Sequence, residues 1–376
     1  MKKRVKLLSV ILLVILEFFP SCNTKDEKPV STHSTNENSL VASHLDSSST
    51  NEATESTKTL TSGGVASSVF VSGNDVYVGG SINGIATIWK NGKATAITNG
   101  DKALINSIFV SRGDVYIAGS LKGISGCKVA AIWKNGVTTA LTSESKNGDA
   151  NSVFVSGDDV YVTGFEWESD CEKGFSNRLI AKVWKNGVAT TLTDNGSANS
   201  VFVSGSDVYV AGCERDDDNK EFPTVWKNGI AVPLSKGGND NSARVNSVFV
   251  SGNKIYTAGY INEWSSGSNC IATIWKNEFH NSLGKVGEKN YSKGNSVFVF
   301  GNDVYVVGHD IGSLPMVWKN GKAIALTDEG IEGDAKSVFV SENNVYVAGY
   351  IYKSQDKKFW RVPIVWKNGE ASFLND

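Results

Sequence analysis

One short pattern recurs seven times from Ser67 onward. It reads S-[VI]-F-V, a short turn, [VI]-Y-x-x-G, a variable stretch and [AP]-x-[VI]-W-K-N, which is followed by Gly in every repeat except the fifth. Its aromatic positions are Phe70, Phe109, Phe154, Phe202, Phe249, Phe298 and Phe339; Tyr77, Tyr116, Tyr161, Tyr209, Tyr256, Tyr305 and Tyr346; and Trp89, Trp133, Trp184, Trp226, Trp275, Trp318 and Trp366. Successive Trp residues lie 42 to 51 residues apart, a period typical of folds that repeat one supersecondary unit.

Each repeat supplies four strands, here called A to D in chain order. Strand A is S-V-F-V, strand B is D-V-Y-V-A-G, strand C is A-T-[IV]-W-K and strand D is an A-T-x-L-T tail. Asn-Gly between strands C and D favours a tight type I′ hairpin. Strands A and B are apolar at consecutive positions, which indicates that both faces of each sheet are buried. Stacking around a central axis achieves this, whereas a sandwich would leave one face of each sheet in water.

The sequence therefore predicts an all-β, seven-bladed β-propeller over residues 57–376, with four antiparallel strands per blade. The strand order resembles that of WD-type propellers, although the Gly-His and Trp-Asp dipeptides of that family are absent. Such a resemblance implies a fold and not an activity. Two segments could complete the closing blade, Thr57–Thr61 and Glu370–Leu374. In the fifth repeat Glu278 replaces the turn glycine, so we expect that hairpin to be longer or distorted.

The first residues are typical of an export signal. Lys2, Lys3, Arg4 and Lys6 precede an apolar run from Leu7 to Leu16, which is short for a membrane-spanning helix. The run ends at Phe19-Pro20-Ser21-Cys22, which resembles a bacterial lipobox and implies cleavage before Cys22 and lipidation of that residue. The alternative is an ordinary secretory signal with an incidental cysteine. We expect a signal peptide at 1–21 and a Ser/Thr/Asn-rich, disordered tether at 22–56, because that composition cannot bury enough apolar surface to fold.

The residues after Cys22 bear on location. Lys25-Asp26-Glu27 resembles the surface-export signal of lipoproteins in Bacteroidota, which implies an outer-membrane lipoprotein exposed at the cell surface; the periplasmic face of that membrane is the alternative. The membrane is then one partner, through the lipid anchor. The net charge of −2 gives no electrostatic reason to expect nucleic acid as another.

Length variation is concentrated on one side of the predicted disc. The Phe-to-Gly distance is ten residues in every repeat, whereas the Tyr-to-Trp distance ranges from 12 to 23. We call the side that carries the B–C and D–A connections the loop face, and the side that carries the A–B and C–D turns the turn face. Because binding residues concentrate on variable loops held by a rigid frame, we expect a glycan or protein ligand on the loop face. The candidate residues are Trp167, Trp264, Trp360, Tyr260, Tyr350, Tyr352, Phe359 and His309. Their alternative role is to close their own loops.

Four cysteines fall in B–C segments, and an oxidising compartment would favour their pairing. Pairing Cys171 with Cys213 would leave Cys127 and Cys270 three blades apart, beyond the reach of a disulfide. Of the remaining connectivities, we predict Cys127–Cys171 and Cys213–Cys270.

The sequence offers little for catalysis. No metalloprotease, nucleophile-elbow or phosphate-binding motif is present, and the acidic run 216–218 lacks the spacing of a calcium loop. We therefore expect a non-catalytic binding or scaffold module with no cofactor and no metal. The alternative is a propeller enzyme that acts on an extracellular polysaccharide.

Overall fold

The computed structural model describes residues 63–98, 102–171, 178–238, 241–263, 269–284, 291–355 and 358–374. They form seven four-stranded antiparallel sheets, and each sheet consists of four strands consecutive in the chain. The predicted seven-bladed β-propeller is therefore confirmed. The signal segment, Cys22, the tether and Thr57–Thr61 lie outside the described residues.

The strand bounds follow the repeat closely. Blade 1 contains β1 (Gly64–Ser72), β2 (Asp75–Ile82), β3 (Ile85–Lys90) and β4 (Lys93–Ala96), and blade 2 contains β5 (Ala103–Ser111), β6 (Asp114–Lys122), β7 (Lys128–Lys134) and β8 (Val137–Ala140). Blade 3 contains β9 (Lys146–Ser156), β10 (Asp159–Asp170), β11 (Leu179–Lys185) and β12 (Val188–Thr193), and blade 4 contains β13 (Gly196–Ser204), β14 (Asp207–Arg215), β15 (Glu221–Lys227) and β16 (Ile230–Pro233).

The remaining blades repeat this arrangement. Blade 5 contains β17 (Ser242–Ser251), β18 (Lys254–Glu263), β19 (Asn269–Lys276) and β20 (Phe279–Ser282), and blade 6 contains β21 (Lys293–Phe300), β22 (Asp303–Asp310), β23 (Leu314–Lys319) and β24 (Lys322–Ala325). Blade 7 contains β25 (Gly333–Ser341), β26 (Asn344–Gln355), β27 (Lys358–Lys367) and β28 (Glu370–Phe373). A 3-10 turn, Ile311–Ser313, links β22 to β23.

The core consists of clusters between neighbouring blades. The seven repeat Trp side chains are at most 1% exposed, and each packs on the preceding blade. Trp133, for example, shares a cluster with Tyr77 of blade 1, and Trp89 shares one with Tyr346 of blade 7. Blade stacking thus buries the apolar side chains of the inner strands between neighbouring sheets, which is the main stabilising effect available to a fold of this kind. The outer strands remain largely exposed.

The seven repeat Phe rings meet around the central axis. Adjacent ring centroids are 4.7–5.0 Å apart, with the planes tilted by 46–53° to one another. This separation lies in the favourable range for aromatic pairs. The rings form a closed aromatic circle, the Phe collar, which narrows the central channel.

A ring of hydrogen bonds joins the innermost strands. The repeat Ser before the collar accepts an N–H from strand A of the next blade at 3.1–3.3 Å, at all seven interfaces. Strand A is the inner edge of each sheet, so these N–H groups have no partner strand. The Ser hydroxyls supply that partner, and each bond contributes about 1 kcal/mol.

The repeat glycine of strand B is required because two backbones approach closely at its position. A Cβ at Gly119 would lie 1.9 Å from the carbonyl oxygen of Leu104, and the equivalent distances at the other six glycines are 1.8–2.1 Å. At this point strand A carries a β-bulge, seen in blade 2 as a register shift between Ile105 and Ser107. The bulge leaves Asn106 outside the regular pairing.

Within the part of the chain that the structure describes, the last repeat supplies all four strands of blade 7. Its outer strand is β28, so Glu370–Phe373 completes the closing blade. Across the junction with blade 1, Val69 donates its N–H to Ser337 Oγ at 3.2 Å, and Leu374 packs in a cluster with Ala66 and Val69. The seam between blades 7 and 1 is therefore held by packing and side-chain hydrogen bonding.

The fifth hairpin is distorted but not longer. Lys276 pairs with Phe279, so two residues form the turn, as in the other blades. Asn277 has a positive φ of 55°, whereas Glu278 does not share the positive φ of the glycine that it replaces. A side chain at that position is strained in the left-handed region, which explains the different turn conformation.

Candidate functional site: the mouth of the central channel

The channel opens on the loop face into a cavity of 590 Å³. Its inner lining is the bulge residue of each strand A, three positions before the collar Phe. We call this set the mouth row: Ser67, Asn106, Asn151, Asn199, Asn246, Asn295 and Lys336. Every member is half-buried. Because the bulge turns each of these side chains out of the sheet, the frame presents a circle of polar groups above the Phe collar.

The five Asn side chains are fixed by the neighbouring blade. Each donates its Nδ2–H to a backbone carbonyl of the next strand A at 2.7–3.0 Å, such as Asn199 to Val245 O at 2.7 Å. Among the described residues none donates to their carboxamide oxygens. The row can therefore accept hydrogen bonds from hydroxyl groups of a ligand without any rearrangement of the frame.

A second row lies one step outward and differs from blade to blade. In each blade it consists of the residue after the strand B glycine and the residue of strand A that lies opposite it. We call these residues the rim row. Its pairs are Val65 with Ser81, Leu104 with Ser120, Asp149 with Phe165, Ser197 with Cys213, Arg244 with Tyr260, Lys293 with His309, and Asp334 with Tyr350. Blades 1 and 2 are small or apolar here, whereas blades 5, 6 and 7 are charged and aromatic.

Asp334 is the centre of a buried polar cluster between blades 6 and 7. Its carboxylate accepts hydrogen bonds from Asn295 Nδ2 at 2.7 Å and His309 Nδ1 at 3.0 Å, and it contacts the ammonium of Lys336. Burial alone would raise the pKa of the Asp334 carboxyl, but the His309 bond and the nearby cations outweigh it and hold this pKa below its usual range. Asp334 is therefore ionised at neutral pH and offsets the charge of Lys336.

Lys293 and the tyrosines form a second cluster, between blades 5 and 6. The Lys293 ammonium lies 4.7 Å from the ring centroid of Tyr260 and 5.0 Å from that of Tyr291. Burial lowers the pKa of this ammonium, but its interactions with the two tyrosines outweigh burial and raise that pKa. Lys293 is thus a charged group held by aromatic faces, and no carboxylate among the described residues forms an ion pair with it.

Arg244 brings a cation to the cavity from blade 5. Its Nη2 lies 3.1 Å from Glu221 Oε1, and the same oxygen lies 2.8 Å from Arg215. The Glu221 carboxylate therefore forms ion pairs with two guanidinium groups. Arg244 and Lys336 line the cavity, whereas no Asp or Glu among the described lining residues does. Their carboxylate partners, Glu221 and Asp334, are therefore not part of this lining.

Blade 7 extends this cationic side outward. Arg361 lies 4.8 Å from the Tyr350 ring centroid and donates from Nε to Tyr352 Oη at 3.3 Å. Tyr350 and Tyr352 meet edge to face at 5.4 Å. Tyr350 is buried and Tyr352 is half-buried. The buried Tyr350 ring therefore packs against the more exposed Tyr352 ring and helps to hold it in place.

The sequence-predicted candidates thus separate into two groups. Tyr260, Tyr350 and His309 lie on the rim row beside the cavity, and Tyr352 adjoins them. Trp167 lies farther out on the hairpin β10–β11, and Trp360 and Phe359 lie farther out on the hairpin β26–β27. Trp167 is half-buried, and Trp360 packs against the cluster between blades 6 and 7. Phe359 is 75% exposed, and Trp264 lies outside the described residues.

Of the two predicted disulfides, only one is formed. Cys127 and Cys171 are joined, with their Cα atoms 6.1 Å apart, and the bridge links blades 2 and 3. The prediction of Cys213–Cys270 is wrong, because both are free buried thiols. Cys213 faces Arg244 of blade 5 and Cys270 faces Lys293 of blade 6, so the sheet of blade 5 separates them. Burial raises the pKa of the Cys270 thiol to about 12, which keeps it protonated and unreactive.

Sequence reasoning missed Arg244, Lys293, Asp334, Lys336 and the Asn residues of the mouth row. The signal was present in the repeat itself, at the positions three and five residues before the Phe. The residues at those positions are mostly polar, although the S-[VI]-F-V segment that follows them is nearly the same in every repeat. Loop length does not indicate them, because they belong to strand A and not to a loop.

Comparisons with known proteins support the fold. No protein-family model matches the chain, and no curated protein matches it. A puromycin-hydrolysing peptidase of Mycobacterium tuberculosis matches with a TM-score of 0.54 at 12% identity, over 82% of this chain and 53% of the peptidase. The β-propeller domain of the trilobed protease of Pyrococcus furiosus, described as having an open velcro topology, matches with a TM-score of 0.52 at 11% identity, over 84% and 96%. This chain therefore spans about half the length of the peptidase, and identities this low establish the β-propeller fold alone.

Among the described residues, no helix is long and apolar enough to cross a membrane.

Proposed function

We propose that this protein is a non-catalytic binding module, held at the outer membrane by a lipid anchor, which takes an acidic glycan into the mouth of its channel. The observation that carries the proposal is the composition of the cavity: five Asn carboxamides, Arg244 and Lys336, with no carboxylate among its described lining residues. Carboxamides suit sugar hydroxyls, and the cations suit a uronate or sulfate group. A volume of 590 Å³ falls within the range of small-ligand sites.

The rim supports the same ligand class. Tyr260 and Tyr352 are half-buried aromatic side chains beside charged Lys293 and Arg361, and sugar rings stack on such surfaces. Trp167, Trp360 and Phe359 belong to longer hairpins of the same face and would contact the outer units of an extended chain. A protein ligand with an acidic protrusion would use the same groups, and it is an outcome that the experiment must distinguish.

A glycan array on the full chain tests the proposal, with Lys336→Asn as the diagnostic variant. Asn occupies this position in five of the seven blades, so the backbone frame accepts it. The variant removes one cation from the cavity and, with it, the ammonium contact of Asp334. We expect saturable binding of uronate- or sulfate-bearing glycans and a loss of about 1–3 kcal/mol in the variant, as for other anchor residues. Lys93→Asn makes the same change at an exposed site on the turn face and should leave affinity unchanged.

Three results would count against the proposal. Neutral glycans could bind as well as acidic ones, the two variants could weaken binding equally, or a protein could be captured while no glycan binds. A reducing-sugar assay in parallel addresses the enzyme alternative, because new reducing ends would indicate cleavage of the polysaccharide.

The proposed location of the module rests on the lipobox-like Phe19–Cys22 and on Lys25-Asp26-Glu27. We expect Cys22 to be lipidated and the propeller to face the outside of the cell. Protease treatment of intact cells should then remove the propeller, whereas a periplasmic control protein should survive. A propeller that is digested only after lysis would place it on the periplasmic side.

A further inference from the structure

A repeated set of side chains braces the turn face of each blade, and we call it the turn bracket. In blade 1 it consists of Asp75, Lys90, Asn91 and Tyr77. The Asp carboxylate meets the Lys ammonium at 2.7–2.9 Å in blades 1, 2, 3, 4 and 6. The Lys is thereby held 5.2–5.4 Å from the centroid of the Tyr ring. In blade 7, Asn344 replaces Asp, and Lys367 still lies 5.5 Å from its Tyr.

Blade 5 lacks the bracket because its Asp position is occupied by Lys254. The partner position is Lys276, as in the repeat, so the frame places two ammonium groups where the other blades place an ion pair. Only the bond from the Ile255 N–H to Asn277 Oδ1, at 3.0 Å, remains from the bracket. Tyr256 is half-buried, whereas the other six repeat tyrosines are 6–9% exposed.

A cavity of 680 Å³ lies at this point, between blades 5 and 6. Its floor is apolar and includes Tyr256, Ile274, Leu283 and Trp318, and Lys254 and Lys276 stand at its edge. The equivalent space between blades 6 and 7 is divided into two smaller cavities. One of 40 Å³ is lined by Tyr305, Val317 and Leu326, and one of 290 Å³ is lined by Leu326, Ile364 and Trp366. The open cavity therefore coincides with the blade that has lost its bracket.

We propose that this cavity is a second binding site, on the turn face, for a small amphipathic anion with a flat apolar body and one acidic group. Two adjacent like charges favour a bound anion, which relieves their repulsion, and no carboxylate among the described lining residues does so. The apolar floor accepts the body of the ligand. The site shares no residue with the channel mouth, so it stands or falls separately from the proposed function.

Equilibrium dialysis of the full chain with naphthalene-1-sulfonate tests the proposal, with the uncharged naphthalene-1-sulfonamide as the matched probe. Lys254→Asp restores the bracket of the other blades and should draw Lys276 onto Tyr256. We expect one saturable sulfonate site per chain, with affinity reduced at least about tenfold for the sulfonamide and for Lys254→Asp. Lys93→Asp makes the same charge change elsewhere on the turn face and should bind as the wild type does.

Lys276→Gln serves as a second variant, because it removes one charge without building an ion pair, and it should weaken sulfonate binding in the same direction. Circular dichroism establishes that each variant is folded. Absence of saturable sulfonate binding to the wild type, equal affinity for the sulfonamide, or wild-type affinity in both lysine variants would overturn the proposal.

Discussion

At the scale of single residues, the frame makes small substitutions decisive. Seven copies of one blade place the same backbone atoms around the channel, so a change at one position in one blade alters the chemistry without altering the fold. Asp334 shows this most clearly, because the equivalent residues in blades 1 and 2 are Val65 and Leu104. A buried carboxylate there needs three donors, and Asn295, His309 and Lys336 supply them.

Asp334→Asn should therefore destabilise the protein in a pH-dependent way. The pKa of Asp334 is lowered in the folded state. Its carboxylate thus contributes stability that is fully present above the unfolded pKa of about 3.9 and is lost as pH falls through the folded pKa. We expect the substitution to lower the free energy of unfolding by about 2 kcal/mol at neutral pH. This difference should shrink as the pH falls below about 4. Urea unfolding across a pH series measures this cost. Exposed Asp194→Asn is the control, and a cost independent of pH would contradict the assignment.

At the scale of strands and blades, the bulge in strand A connects the repeat to the site. The strand B glycine permits the bulge, the bulge directs the mouth row into the channel, and the Ser two residues before the Phe ties the strand to its neighbour. The cysteines follow the same geometry. Cys127 and Cys171 extend beyond the regular pairing of adjacent blades and can meet, whereas Cys213 and Cys270 lie within strands that face successive interfaces.

At the scale of the whole molecule, one interface differs from the other six. The chain itself connects each blade to the next, but nothing covalent among the described residues joins blade 7 to blade 1. The seam depends on Leu374, the collar contact between Phe70 and Phe339, and the hydrogen bond from Val69 to Ser337. Sub-global opening should therefore begin there.

Leu374→Ala tests the role of the seam. Truncation of a buried Leu costs about 2–5 kcal/mol, and here we expect that cost to appear as faster hydrogen exchange in β1 and β27. Leu326→Ala is the matched control, since Leu326 holds the equivalent position between blades 6 and 7. If both variants exchange at the same rate in β1, the seam is no weaker than the other interfaces.

The sequence by itself determined the number of blades, the four strands of each, the loop and turn faces and the core aromatics. It could do so because seven copies repeat the same local pattern of apolar residues and turn signals, and local patterns dictate strands and hairpins. Only the tertiary structure decided which outer strand closes the ring, which cysteines meet and which polar side chains share the channel mouth. Each of these depends on contacts between residues tens of positions apart, and their geometry is fixed only when the blades stack around one axis. The bulge that turns Asn106 and its equivalents inward, and the cavity beside Lys254, arise at that stage.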